Sequence, residues 1–251
     1  MGSVLLIGCI VMCAVMIEGI IGFGAAVFAL PFLTMLIPVR TAVPLMSSFS
    51  LLLGGYVVIT HRKCIDVNAL KTIFLVGGIA FLAGMAVSNY LSEQFLKIIL
   101  GIFVTAFALK SLKKHIRPNG KAGPATPLRD LAEKTALAAG GAFHGAFACG
   151  GPLMVIYASR RIKEKTEFRA TMAVVWVVFG AILLFKNTLL AGEAKLGFWK
   201  TWAQALPFFL AGCAAGNALH KIVNVKTFML LTDLLLLGAG LSTLIIQIAA
   251  L

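Results

Sequence analysis

Charge is what this sequence has least of. Only 12% of its 251 residues are Asp, Glu, Lys or Arg, about half the share found in soluble domains. Acidic residues are the rarest, 9 against 22 Lys and Arg. With 60% hydrophobic residues and a mean hydropathy of +0.99, a soluble fold of this size could not bury its apolar surface. The solvent for most of the chain is lipid. The apolar runs also lack strict alternation, which excludes a membrane β-barrel. The five cysteines (Cys9, Cys13, Cys64, Cys149 and Cys213) form no CxxC pair and no Cys/His metal spacing, so no metal and no cofactor is expected. Cys9 and Cys13, four apart, read as small packing residues of one helix face. No GxxxxGK[ST] motif and no nucleophile elbow occurs, which argues against ATP hydrolysis and against an enzyme. Basic–aromatic stripes are missing too, so the positive balance does not point to nucleic acid. It fits the Lys- and Arg-rich cytoplasmic loops of membrane proteins.

What is present is apolar sequence in long runs. Eight segments stand out: Val4–Ile37, Ala42–Thr60, Ala69–Leu91, Phe95–Leu112, Leu131–Ala158, Ala170–Leu190, Phe198–Leu219 and Phe228–Ala250. Most have the length of a membrane-spanning helix, so the expected class is an all-α polytopic membrane protein forming one transmembrane domain over residues 1–251. The first run has no basic flank and no cleavage site and reads as part of the mature protein. Lys113–Asp130, with three prolines and many basic residues, reads as a linker (113–130) between two halves, 1–112 and 131–251.

The halves repeat each other. Leu82-Ala-Gly-Met-Ala-Val-Ser-Asn-Tyr-Leu91 matches Leu210-Ala-Gly-Cys-Ala-Ala-Gly-Asn-Ala-Leu219 at six of ten positions, Asn89 and Asn217 included. Gly24 followed by Pro31 matches Gly145 followed by Pro152 in the same order, as duplication requires. If all eight segments crossed, the basic runs Lys113–Arg129 and Arg160–Arg169 would lie on opposite sides, against the positive-inside tendency. If segments one and five are broken or re-entrant, both runs, His61-Arg62-Lys63 and His220-Lys221 fall inside. Both termini then fall outside and the two four-segment repeats are inverted.

Irregular backbone in a membrane survives only inside protein or along a watery cavity, and a broken helix exposes N–H groups suited to an anion. Gly22-Phe23-Gly24 and Gly150-Gly151-Pro152 are therefore candidate substrate-binding breaks; close helix packing through small residues is the alternative. Glu18 is an intramembrane carboxylate and His144 lies in the second break. Both are candidates for carrying a coupling proton, and His144 for donating to an anion. Asp233 is expected to pair with Lys226 or another loop cation, and Lys186 to snorkel to the outer interface.

The second half then reads Gly150-Gly151-Pro152, an apolar turn, and Glu167-Phe168-Arg169-Ala170-Thr171, and the first Gly22-x-Gly24, Pro31 and Ser47-Ser48. From about Gly19 to Leu244 this resembles the sulfite exporter TauE/SafE family of inner-membrane permeases. Ser47 stands where that family usually has Thr, and Ala25 and Ala26 where further glycines are common. The resemblance implies outward transport of small sulfur-containing anions, such as sulfite and organosulfonates, in a bacterial inner membrane. The partners expected are thus a small anionic substrate and the lipid bilayer. It also singles out Arg169, whose planar fork suits a sulfonate or carboxylate, and Ser47, Ser48 and Thr171 as hydroxyl donors. Those hydroxyls alternatively bond back to their own helices. Asn89 and Asn217 either tie helices together or line the path. The expected mechanism is alternating access around a site between the two broken helices. An integral membrane enzyme or redox protein, or a non-transporting subunit, is the alternative; the missing catalytic groupings and the short loops disfavour both.

Overall fold

Glycine and proline cut the eight apolar segments into ten helices. The computed structural model describes residues 2–21, 24–116, 126–190, 195–219 and 225–249. Among these the helices are α1 (Gly2–Ile21), α2 (Ala25–Leu36), α3 (Val39–His61), α4 (Val67–Val87), α5 (Glu93–Ile116), α6 (Pro127–Phe147), α7 (Gly151–Arg161), α8 (Lys165–Leu184), α9 (Lys195–Leu219) and α10 (Val225–Ala249). Segment one became α1 and α2, and segment five became α6 and α7. Of the linker, residues 117–125 lie outside the described residues, as do Gly22, Phe23 and His220-Lys221.

Local chemistry sets the boundaries. Gly24, the N-cap of α2, has φ 104°, a conformation open to glycine without strain. Ala148 ends α6 at φ 55°, its N–H donating to the His144 carbonyl. Asp66 caps α4 by accepting from the Asn68 and Ala69 N–H groups at 2.9 Å. Thr126 and Pro127 open α6, and Glu164 opens α8 by accepting from the Glu167 N–H at 2.7 Å, as helix starts favour. Segments thus begin earlier than their apolar cores suggest. One feature has no compositional signature: α4 passes through a π-helical stretch, Ile73–Gly78, and α8 runs on as another, Phe185–Leu190.

Among the described residues, five stretches are long and apolar enough to cross a membrane: Val39–Cys64, Val67–Val87, Glu93–Lys113, Lys165–Asn187 and Met229–Ala249. Large apolar side chains face outward along them and along α1 and α9, among them Leu5, Leu75, Ile79, Ile102, Leu210 and Ile245. Such a belt suits acyl chains and would not be tolerated in water.

Four pairings organise the helices: α1 with α9, α4 with α6, α3 with α8 and α5 with α10. Their directions follow from the close contacts. Gly54 lies against Ala173 and Val177 while Gly180 lies against Ser47 and Leu51, so α3 and α8 are antiparallel. Gly101 meets Leu244 while Gly240 meets Thr105, so α5 and α10 are antiparallel too. Gly8 meets Phe208 and Gly216 meets Met16, whereas Gly141 meets Gly77 and Gly145 meets Phe81; α1–α9 and α4–α6 are parallel. Gly140 meets both Gly150 and Met154, so α7 folds back along α6. The small residues in these seams let backbones approach closely, the main source of helix association where lipid removes the hydrophobic drive.

Charge gathers at the start of α6 and the end of α7. Glu133 takes Arg160 at 2.9 Å and Arg129 at 3.5 Å, and Asp130 takes Lys134 at 2.8 Å and also Arg161. These pairs fasten the open end of the α6–α7 hairpin.

Candidate functional site

The helix breaks meet. The first turn of α2 (Gly24, Ala25, Ala26 and Val27) and the start of α7 (Ala148, Cys149 and Gly151) line one cavity between them. From α3 come Ser47 and Ser50, from α8 Trp176 and Gly180, from α1 Glu18 and from α6 His144. Of the residues singled out in the sequence, Glu18, Gly24, Ser47, His144 and Gly151 are thus brought together. Gly150 caps α7 beside them, and Gly22 lies outside the described residues. The cavity measures about 30 Å³, enough for roughly two waters and short of a four-heavy-atom anion.

Two helix N-termini aim at this space. The first-turn N–H groups of α2 and α7 have no helical carbonyl behind them, and their partial positive charge favours an anion. Glu18 already draws on one of them, the Ala25 N–H, and feels the Arg169 guanidinium electrostatically. It is half-buried. Glu18 is the one carboxylate among the described residues that line the cavity.

His144 is buried, and its Nδ1 has no hydrogen-bond partner among the described residues. Its ring stacks on Trp176 with centroids 5.1 Å apart and 22° between planes, with Phe179 at 5.7 Å and Phe81 at 6.1 Å. A buried polar atom without a partner is costly, and this one belongs to a side chain that lines the cavity. This aromatic wall was not read from the sequence. Its signal was Trp176, one of three tryptophans in the chain, placed mid-way along an apolar helix.

Counting back six residues from each cap, Gly24 and Gly150, gives Glu18 and His144. The two stand at the same distance before their caps. Pro31 lies inside α2 whereas Pro152 lies in the first turn of α7.

The hydroxyls and the remaining charged candidates have their own partners. Ser47 Oγ donates to the Val43 carbonyl at 2.8 Å and Ser48 Oγ to the Leu45 carbonyl at 2.7 Å, back-bonding that helical serines favour. Thr171 is buried, and its hydroxyl accepts the Asp66 N–H at 2.9 Å, tying α8 to the start of α4. Thr171→Val is expected to remove that acceptor and destabilise the protein by about 1–2 kcal/mol, a fall of roughly 2–8 °C in melting temperature. An unshifted melting curve would contradict the tie. Arg169 is exposed and lines a separate cavity with Gly19, Tyr56, Cys213 and Asn217. Asp233 accepts from Ser111 Oγ at 2.5 Å; the Lys226 side chain lies outside the described residues. Lys186 is half-buried, and its Nζ donates to the Met85 carbonyl at 3.0 Å, in the last turn of α4.

The profile of the sulfite exporter TauE/SafE family matches residues 6–243. The chain belongs to this family. It is also 27% identical over 164 residues to a protein of Comamonas testosteroni described as "Probable inner membrane transporter protein TsaS". That match covers 64% of this chain and 65% of the relative. No solved structure matches. Family membership and the apolar helices together make this TauE/SafE member a multi-pass membrane protein.

Proposed function

We propose that this TauE/SafE protein is a secondary carrier of a small sulfur-containing anion, sulfite or an organosulfonate, that exports it across a bacterial inner membrane. The observation that carries the reading is the convergence on one cavity of two helix N-termini and of His144, whose Nδ1 has no partner among the described residues. The helix N-termini and His144 can hold negative charge there, with Glu18 the one carboxylate among the described lining residues. The relative's description as an inner-membrane transporter supports the same reading.

The carrier works as two inverted repeats, 1–112 and 131–251, joined by the cytoplasmic linker 113–130. The support lies in the directions of pairing. An axis in the membrane plane turns each helix that pairs with its own equivalent antiparallel, and α3–α8 and α5–α10 are antiparallel. It also makes α1–α9 and α6–α4 two copies of one contact, and both are parallel. The small volume of the cavity fits an occluded arrangement, from which rocking of one half on the other would open either side.

Counterflow in liposomes containing this chain alone tests the reading, with sulfite, sulfoacetate, taurine, sulfate and acetate as competitors. Exchange of sulfite or a sulfonate that sulfate and acetate do not compete is expected. Folded protein exchanging none of them would overturn it. Arg169 acts as a cationic donor on the route into the site. Arg169→Ala is expected to raise the KM for the anion about tenfold or more, the loss of one charge-assisted hydrogen bond, with the elution profile of folded protein kept. An unchanged KM would remove Arg169 from the route.

A further inference from the structure

Along the antiparallel pair α3–α8 three cavities follow one another. The middle one is the site between the helix breaks, reached by Ser47 and Gly180. At the end marked by Arg169, a cavity of about 390 Å³ is lined by Gly19, Tyr56, Arg169 and Asn217. At the opposite end, a cavity of about 430 Å³ is lined by Arg40, Ser88, Asn89, Gly145, Lys186 and Asn187. From Arg40 to Tyr56 the helix rises ~24 Å, most of a bilayer core.

The cavity at the Arg40 end holds two cations and, among the described residues lining it, no carboxylate. The Lys186 ammonium and the Arg40 guanidinium repel each other across it. Their hydrogen-bond partners are neutral: Lys186 donates to the Met85 carbonyl, and Arg40 Nη2 lies 3.4 Å from both the Asn89 and the Leu91 carbonyls. The nearby acid, Glu93, sits at the edge of the cavity, accepting from the N–H of the lining residue Val39 at 2.5 Å and pairing with Lys97 at 3.8 Å. Like charges held together are unfavourable, and an anion between them removes the repulsion and gains two charge-assisted hydrogen bonds. The same set of residue types recurs at the other end: one Arg (40 or 169), one Asn of the ten-residue repeat (89 or 217) and one Gly of a broken helix (145 or 19).

We infer that the cavity between Arg40 and Lys186 is a binding site for a small oxyanion, held by the guanidinium, the ammonium and the Asn89 side-chain amide. Its role as the entry or exit opposite Arg169 rests on the transport reading above; the binding of the oxyanion does not. The chemistry is shared by a free sulfite or phosphate and by the phosphate of a lipid headgroup.

The test is thermal protection of the purified full chain in neutral detergent at constant ionic strength. Sulfite, phosphate and short-chain phosphatidylglycerol serve as probes, with chloride as reference. Saturable protection by an oxyanion is expected, with the half-saturating concentration raised at least tenfold in Lys186→Gln and kept within about threefold in Lys186→Arg. Asn89→Ala, at an exposed residue, gives a second variant if Lys186→Gln elutes unfolded. Protection by sulfite or phosphate assigns the cavity to a solute; protection by phosphatidylglycerol alone assigns it to a headgroup. No protection beyond chloride, or equal protection of wild type and the glutamine and alanine variants, overturns the site. Counterflow separates the two failures. A wild type that is protected but exchanges nothing leaves this site standing and sinks the transport reading; exchange without protection does the reverse.

Discussion

Gly150→Ala is expected to lower the melting temperature of the purified protein by roughly 6–12 °C, from a destabilisation of about 3 kcal/mol. The added methyl would fall on the Gly140 carbonyl oxygen and within 2.7 Å of the His144 nitrogen. Both are backbone atoms of α6, so no side chain can rotate away, and relief requires the start of α7 to move off α6. That motion would separate Gly151 from His144, two walls of the central cavity. Anion exchange is therefore expected to fall together with stability. Gly55→Ala is the control, since a Cβ there meets nothing within 4 Å, and alanine in a helix interior is favoured over glycine by about 1 kcal/mol. A Gly150→Ala protein as stable as Gly55→Ala would mean that the α6–α7 hairpin is not packed as described.

The breaks were legible because glycine and proline mark them whatever lies around them. The eight apolar segments were legible because lipid demands unbroken hydropathy. What could not be read was register. Gly24–Pro31 and Gly145–Pro152 match by spacing, yet one proline lies inside α2 and the other in the first turn of α7, places with different backbone needs. The π-helical stretch in α4 left no trace either, since i→i+5 bonding changes no residue type. Arg40 goes unremarked, and Lys186 reads as an interfacial anchor, for another reason. They are far apart in sequence, each looks like an ordinary helix-end cation, and it takes the antiparallel packing of α3 on α8 to place them on one cavity. By contrast Asn89 and Asn217 stood out through the repeat, and each lines a cavity at one end of the α3–α8 pair. The hydroxyls divide similarly. Ser47 lines the central cavity, but Ser50, one turn on, joins it there, while Ser48 is turned to its own helix.

The largest functional effect is expected from Glu18→Gln. Proton coupling through Glu18 follows as a proposal from competition between the proton and the anion for the same groups. As a carboxylate it draws on the Ala25 N–H at the start of α2 and on Arg169, the positive features an incoming anion needs. Protonated, it releases both and removes the negative charge that would repel the anion. Anion binding and protonation of Glu18 then favour one another, as linkage requires. For one linked proton the apparent affinity for the anion rises at most tenfold per pH unit as pH falls through the titration of the carboxyl, and flattens below it. Glu18→Gln mimics the protonated form in shape and charge. Its exchange is expected to be insensitive to pH, and an imposed pH gradient, which should drive net anion uptake into wild-type liposomes, should drive none in the variant. Anion-for-anion exchange itself should persist, since the helix N-termini and His144 remain. Two measurements on one preparation decide it: net flux under a pH gradient and counterflow without one. If the variant still accumulates anion under the gradient, the proton travels elsewhere, and His144, six residues before its own cap as Glu18 is before Gly24, becomes the residue to substitute. If counterflow is lost along with the gradient response, Glu18 holds the site together and does not couple it.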